Sequence, residues 1–265
     1  MHSDCHIHVK GTENAKQALA SMDKSGIEKA VLMGRGAKTM DEQRASNDDL
    51  AKLCSADPKR LIGFARIDPR IPNVADEIKR ARETLKLAGV KMLPDHWSPC
   101  DEFMFPVYRV IESLRMPIIF HSGILWGNAD SSRFCRPALY ESVIHFPKLT
   151  IALAHIGWPW TDECVAVCNR FVHLARREKR SKPQVFIDTT RGTPPVYRPD
   201  ALKKAVACCG AGSILFGSDM GNLLDLSGSA EHARLDREIL AGLSVDDADT
   251  DAILRTNLDR FLTPE

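Results

Sequence analysis

The sequence predicts a (β/α)₈ barrel that occupies residues 1–265 as one domain. Three observations carry this. Short apolar runs alternate with segments of helical length along the whole chain. The runs are continuously apolar, as strands buried on both faces are. A length of 265 residues also suits one large barrel.

In chain order the strands are expected at "SDCHIHV", "EKAVLMG", "LIGFARID", "GVKMLP", "PIIFHSG", "LTIALAHIG", "QVFIDTT" and "SILFGSDM". A helix between successive strands implies parallel pairing with right-handed crossovers. The segment "NVADEIKRARETLKLAG" illustrates the helical texture: Ala75, Ile78, Ala81, Leu85 and Ala88 form one apolar stripe, and Asn73 and Gly89 suit its two caps. After the fifth strand, residues 122 to 137 make a long connection that reads as a substrate lid.

Composition narrows the function. Lys and Arg number 36 against 35 Asp and Glu, so no broad field favours nucleic acid or an anionic membrane, and a small-molecule partner is expected. No apolar run approaches the roughly 20 residues of a membrane span, and no basic and apolar leader precedes "HSDCHIHV". Eight cysteines without a CxxC pair read as reduced thiols, which fits the cytoplasm. A homo-oligomer stays open.

Barrel sites lie at the C-terminal ends of the strands. There this chain places His6 and His8 on strand 1, Lys91 late in strand 4, His121 on strand 5, His155 on strand 6 and Asp219 on strand 8. Strand alternation sends His6 and His8 to one face, with Asp4, and leaves Cys5 and Ile7 on the other. His2, His96, His145, His173 and His232 read as ordinary structural residues. A single strand-end histidine would too, but four histidines and an aspartate at the ends of four strands point to a metal site, because ionisable groups are rarely buried without a partner or a metal.

With those residues in place, the chain resembles the amidohydrolase superfamily, in the amidohydrolase-related branch that includes aminocarboxymuconate-semialdehyde decarboxylase and pyrone-dicarboxylate lactonase. The resemblance runs through "DCHIHV", "GVKMLP", "FPKLTIALAHIGWP" and "LFGSDM" to "ILRTNLDRFL", which is similar to the family's closing helix. It implies that His6, His8, His121 and Asp219 hold one divalent metal, and that His155 contacts the metal's water or the substrate. Imidazole and carboxylate ligands suit Zn²⁺ first, with Mn²⁺, Co²⁺ or Fe²⁺ also compatible. Asp219 would both bind the metal and accept a proton, while His155 would orient water or stabilise an oxyanion. For Asp4, which strand alternation puts on the same face, two readings stay open: an outer partner of the site or a plain polar strand start.

Two readings of Lys91 stay open: a carbamylated bridge between two metals, as in some branches of the superfamily, or a lysine that pairs with a carboxylate or an anionic substrate. Arg66, Trp126 and Arg191 are the substrate-binding candidates, with Asn128, Arg133 and Trp158 on adjoining loops. The expected reaction is hydrolysis of a small carboxylate-bearing lactone, ester or amide. The alternative is non-oxidative decarboxylation, although the family's benzoate-type decarboxylases tend to start with Glu-x-His, and this chain has His6-x-His8. A barrel without catalysis should lack part of the ligand set, and none is missing here.

Overall fold

The apolar runs become strands, and each pairs with the next in sequence. A computed structural model describes residues 1–127 and 129–263. Its strands are β1 (His2–His8), β2 (Ile27–Met33), β3 (Leu61–Arg66), β4 (Gly89–Met92), β5 (Ile118–Phe120), β6 (Ile151–Leu153), β7 (Val185–Asp188) and β8 (Ile214–Leu215), all parallel in the order β1 to β8. Hydrogen bonds from Cys5 N to Phe216 O (2.9 Å) and from His8 N to Met220 O (2.7 Å) join the last strand to the first. The predicted (β/α)₈ barrel is present.

The helices between the strands are α1 (Ala15–Lys24), α2 (Met40–Cys54), α3 (Val74–Glu83), α4 (Met104–Ser113), the short α5 (Ser131–Phe134), α6 (Thr161–Arg177) and α7 (Arg198–Cys209), and α8 (Ser227–Gly242) follows β8. None of the described helices is long and apolar enough to cross a membrane. All eight cysteines are unpaired.

Inside the barrel, Cys5, Val31, Met33, Phe64, Ile119, Ala152, Phe186 and Leu215 form an apolar floor. After α9 (Asp247–Asp251) and a wide turn, α10 (Asn257–Leu262) supplies Leu258 and Phe261 to the same cluster. Asn257 Nδ2 donates to Ala211 O (2.8 Å) and Ile214 O (2.9 Å), which ties the closing helix to the start of β8.

Two local expectations change. The helical stripe ends at Glu83, and Gly89 opens β4 instead of capping the helix. The Phe64 ring explains the glycine, because a Cβ at Gly89 would lie 2.4 Å from it. In β1 the alternation breaks. Asp4 pairs with Ala30 but Ile7 with Leu32, so the strand carries one extra residue between them, a bulge. Cys5 therefore joins the interior floor directly beneath His6, and Asp4 turns outward to accept from Ser229 Oγ (2.7 Å) and Ser218 N (3.0 Å). Asp4 is not a partner of the histidine rings.

Candidate metal centre

Above the floor, the barrel mouth gathers the ionisable residues. His6 Nε2 lies 3.3 Å from His8 Nε2 and 3.5 Å from Asp219 Oδ1, and His8 Nε2 lies 3.2 Å from the same oxygen. These three residues present ligand atoms within 4.8 Å of one another. His121 belongs to a second contact, its Nδ1 3.1 Å from His155 Nε2. The His6 ring bridges the two groups, with its centroid 5.6 Å from that of His155.

The residue that fixes this arrangement is Asp188, at the end of β7, which the sequence reading passes over. His6 Nδ1 donates to Asp188 Oδ2 at 2.9 Å, so the Nε2 lone pair faces the site. Oδ1 of the same carboxylate accepts from His155 N (2.9 Å) and from Thr190 Oγ1 (2.5 Å). Thr190 has spent its one hydroxyl hydrogen, so it accepts from His155 Nδ1–H at 2.5 Å, and His155 Nε2 is left as the acceptor that faces His121 Nδ1. The signal was positional: Asp188 ends a strand just as the histidines do.

The backbone bends sharply where two of the groups sit. Asp219 lies four residues beyond the end of β8 at φ 58°, and His155 follows β6 at φ 62°. Left-handed conformations cost a non-glycine residue roughly 1–2 kcal/mol, and such strain is typical of functional positions. Gly192 allows the His155 ring to pack against β7's loop, because a Cβ there would fall 2.4 Å from the ring.

Burial controls the charges. It lowers the pKa of His6, His8 and His121, and brings His155 down to about 4, so all four rings are neutral at pH 7. Burial alone would raise Asp188 and Asp219. The neighbouring histidines offset this, through His6 at Asp188 and through a hydrogen bond from His8 at Asp219, and hold both carboxyls well below the usual range. Lys91 is buried, with Nζ 3.1 Å from His6 Nε2, and burial brings its pKa down to about 8.

The pocket over these groups encloses about 130 Å³ and is walled by Leu93, Ile124, Leu125, Trp126 and Trp158. Three of these, Ile124, Leu125 and Trp126, come from the connection after β5, and Ile124 N ties that connection to Trp158 O (2.8 Å). Trp126 and Trp158 stack with ring centroids 6.4 Å apart. Arg66 lines a neighbouring cavity, whereas Arg191 is turned away: its guanidinium donates to Gly228 O (2.8 Å) on α8, and only its neighbour Gly192 reaches the pocket. Arg133 lies over the Phe134 ring, and Asn128 falls outside the described residues.

The family model for amidohydrolases matches residues 3–262. The chain belongs to the amidohydrolase family. Members bind a divalent metal, and the residues here fit one: ring nitrogens of two neutral imidazoles face each other beside an ionised carboxylate, and the buried Nε2 of His121 has no hydrogen-bond partner.

Among solved structures, the chain is similar to a dihydroxybenzoic acid decarboxylase from a Polaromonas species, with bound manganese and 2-nitroresorcinol (TM-score 0.71, 17% identity, 99% of this chain and 97% of that one). It is also similar to a 2,6-dihydroxybenzoate decarboxylase from Rhizobium (TM-score 0.69, 19% identity, 99% of both chains). A third is a probable 2-pyrone-4,6-dicarboxylic acid hydrolase from Acinetobacter baumannii with citric acid bound (TM-score 0.70, 13% identity, 98% of both chains). At these identities the likeness is one of fold.

Proposed function

We propose that this chain is a metal-dependent hydrolase of a small carboxylate-bearing lactone, ester or amide, acting in a reducing compartment such as the cytoplasm. The observation that carries the reading is the cluster of His6, His8 and Asp219, with Asp188 fixing the His6 tautomer. In it His6, His8 and Asp219 hold the metal, with His121 as the fourth ligand. The donor set suits Zn²⁺, and the manganese in the Polaromonas enzyme makes Mn²⁺ an equal candidate. A divalent ion bound there polarises a carbonyl and lowers the pKa of water from 15.7 to about 7.

The chain's own groups do the rest. Asp219, ionised and half-buried, accepts a proton at Oδ1. His155, neutral and anchored by Thr190, presents Nε2 as an acceptor to orient the attacking water. Leu93, Ile124, Leu125 and the two tryptophans exclude bulk water. The eight unpaired thiols support the reducing compartment.

Non-oxidative decarboxylation is the second reading, and Lys91 favours it. A buried ammonium inside the pocket is a proton donor of the kind needed to protonate carbon, and the similar Polaromonas and Rhizobium proteins are both decarboxylases. The test incubates metal-loaded protein with carboxylated lactones, esters, amides and aromatic acids while following acid release and CO₂ separately. Acid release without CO₂ is the expected result. CO₂ release assigns decarboxylation instead, and turnover of no compound contradicts both readings.

A further inference from the structure

Each neutral ring at the barrel mouth carries one proton on either of two nitrogens, and only the bare nitrogen can bind a metal. The hydrogen bonds settle which one is bare. Asp188 is the fixed end, because its carboxyl is ionised and can only accept.

Its two oxygens start two chains of hydrogen bonds. Oδ2 accepts from His6 Nδ1 at 2.9 Å, and that chain is one bond long. Oδ1 accepts from the Thr190 hydroxyl at 2.5 Å, and that chain runs on. If Thr190 donated to His155 instead, its oxygen would face the carboxylate oxygen with no hydrogen between them, and the two would repel. The Thr190 oxygen therefore accepts from His155 Nδ1–H at 2.5 Å. His155 is neutral, so its Nε2 accepts in turn from His121 Nδ1–H at 3.1 Å.

That bond places the last proton. His121 is neutral as well, so its Nε2 is left bare. This atom is buried and, among the described residues, has no hydrogen-bond partner, which is the exception that calls for an occupant. The His155 ring between the two ends is held in place: its N–H donates to Asp188 Oδ1 (2.9 Å), its carbonyl accepts from Thr193 Oγ1 (2.6 Å), and Gly192 packs against it. What Thr190 decides is the position of its proton.

We propose that Thr190 is a positioning residue that acts through His155 on His121: its hydroxyl, oriented by Asp188, keeps the proton of both rings on Nδ1 and so keeps His121 Nε2 bare. One carboxylate thereby prepares ligand atoms at two strand ends, His6 directly and His121 through a hydroxyl and an imidazole. The order of protons stands on the hydrogen bonds alone, whereas the use of His121 Nε2 as a ligand rests on the function proposed above. Water oriented by His155 in that function shares Nε2 with the His121 N–H.

Nitrogen chemical shifts of the rings in metal-free protein test this, because bare and protonated nitrogens resonate far apart. In the wild type, His6, His121 and His155 should all be protonated at Nδ1. Thr190→Val keeps the shape and removes the hydroxyl, so the His155 proton should move to Nε2 and drive the His121 proton to Nε2. His6 should not change, since it is bonded to the other oxygen. Thr190→Ser should match the wild type, and Thr190→Ala is the second variant should Thr190→Val not fold. Chelator competition should show Zn²⁺ held about tenfold more weakly in Thr190→Val, with one equivalent still bound at excess metal, and at full strength in Thr190→Ser. A proton on Nε2 of His155 or His121 in the wild type overturns the proposal, and so does a His121 proton that stays on Nδ1 in both Thr190→Val and Thr190→Ala. A moved His121 proton with unchanged Zn²⁺ affinity upholds the hydrogen-bond order and counts instead against His121 as a ligand.

Discussion

The floor and the mouth of this barrel are built by the same strands, sometimes by adjacent residues, yet they obey different rules. Below, Cys5, Phe64, Phe186 and Phe261 fill space and carry no charge. Above, His6, Lys91, His155 and Asp188 are as deeply buried, but each is placed by a polar partner. The β1 bulge makes the contrast sharp, since it puts Cys5 in the floor and His6 in the mouth one residue later. Packing thus supplies the stability that lets the mouth hold strained backbone and unshared charge.

The largest effect expected from separating the two is Phe64→Ala. It should cost about 3–5 kcal/mol of unfolding free energy, the usual scale for deleting a buried ring, while leaving the metal content of the folded protein unchanged. Urea unfolding and elemental analysis measure both. Loss of metal at intact stability would mean that floor and mouth are not separable.

Asp188→Asn should act in reverse. The amide no longer fixes the His6 tautomer, so metal affinity should fall about 10–100-fold, the scale for outer partners of metal-binding histidines. Competition with a chelator reads this directly, and an unchanged affinity would remove Asp188 from the centre.

A smaller, graded effect is expected from pH in metal-free protein. Burial holds His2, His155 and His232 near a pKa of about 4, against 6.5 when unfolded, so between those values the unfolded chain binds more protons. Stability is therefore full above pH 6.5 and declines towards pH 4, by up to about 1.4 kcal/mol per pH unit for each histidine. Asp4, raised by burial to about 6, opposes the trend, because the folded state takes up its proton first. These three, joined by His6, His8 and His121, whose pKa burial also lowers, outweigh the one aspartate and leave net acid destabilisation, and His232→Gln should flatten the slope. A urea midpoint that rises between pH 6.5 and 4 would contradict this balance.

Much of this was legible in the sequence. Doubly buried parallel strands appear as apolar runs, so all eight could be placed, and the histidines stood out by residue type at their ends. What failed was what depends on partners distant in sequence. The bulge is a mismatch between β1 and β2, so Cys5 and Asp4 could not be assigned a face from β1 alone. Gly89 reads as a helix cap until the Phe64 ring is seen against it. Arg191 sits at a strand end, but its direction is set by the Gly228 carbonyl on α8. Asp188 looks like any polar residue closing a strand until His6 and His155 converge on it.

The barrel mouth is proposed as a metal centre in which His6 and His8 bind and His155 acts. It is tested most directly by metal content per chain in three proteins: wild type, His6→Ala/His8→Ala and His155→Asn. About one equivalent of divalent ion is expected in the wild type, none in the double variant and an undiminished equivalent in His155→Asn. Undiminished metal in the double variant would contradict the account, and loss of metal from His155→Asn would make that histidine a ligand and restore Lys91 as a bridging carbamate between two ions.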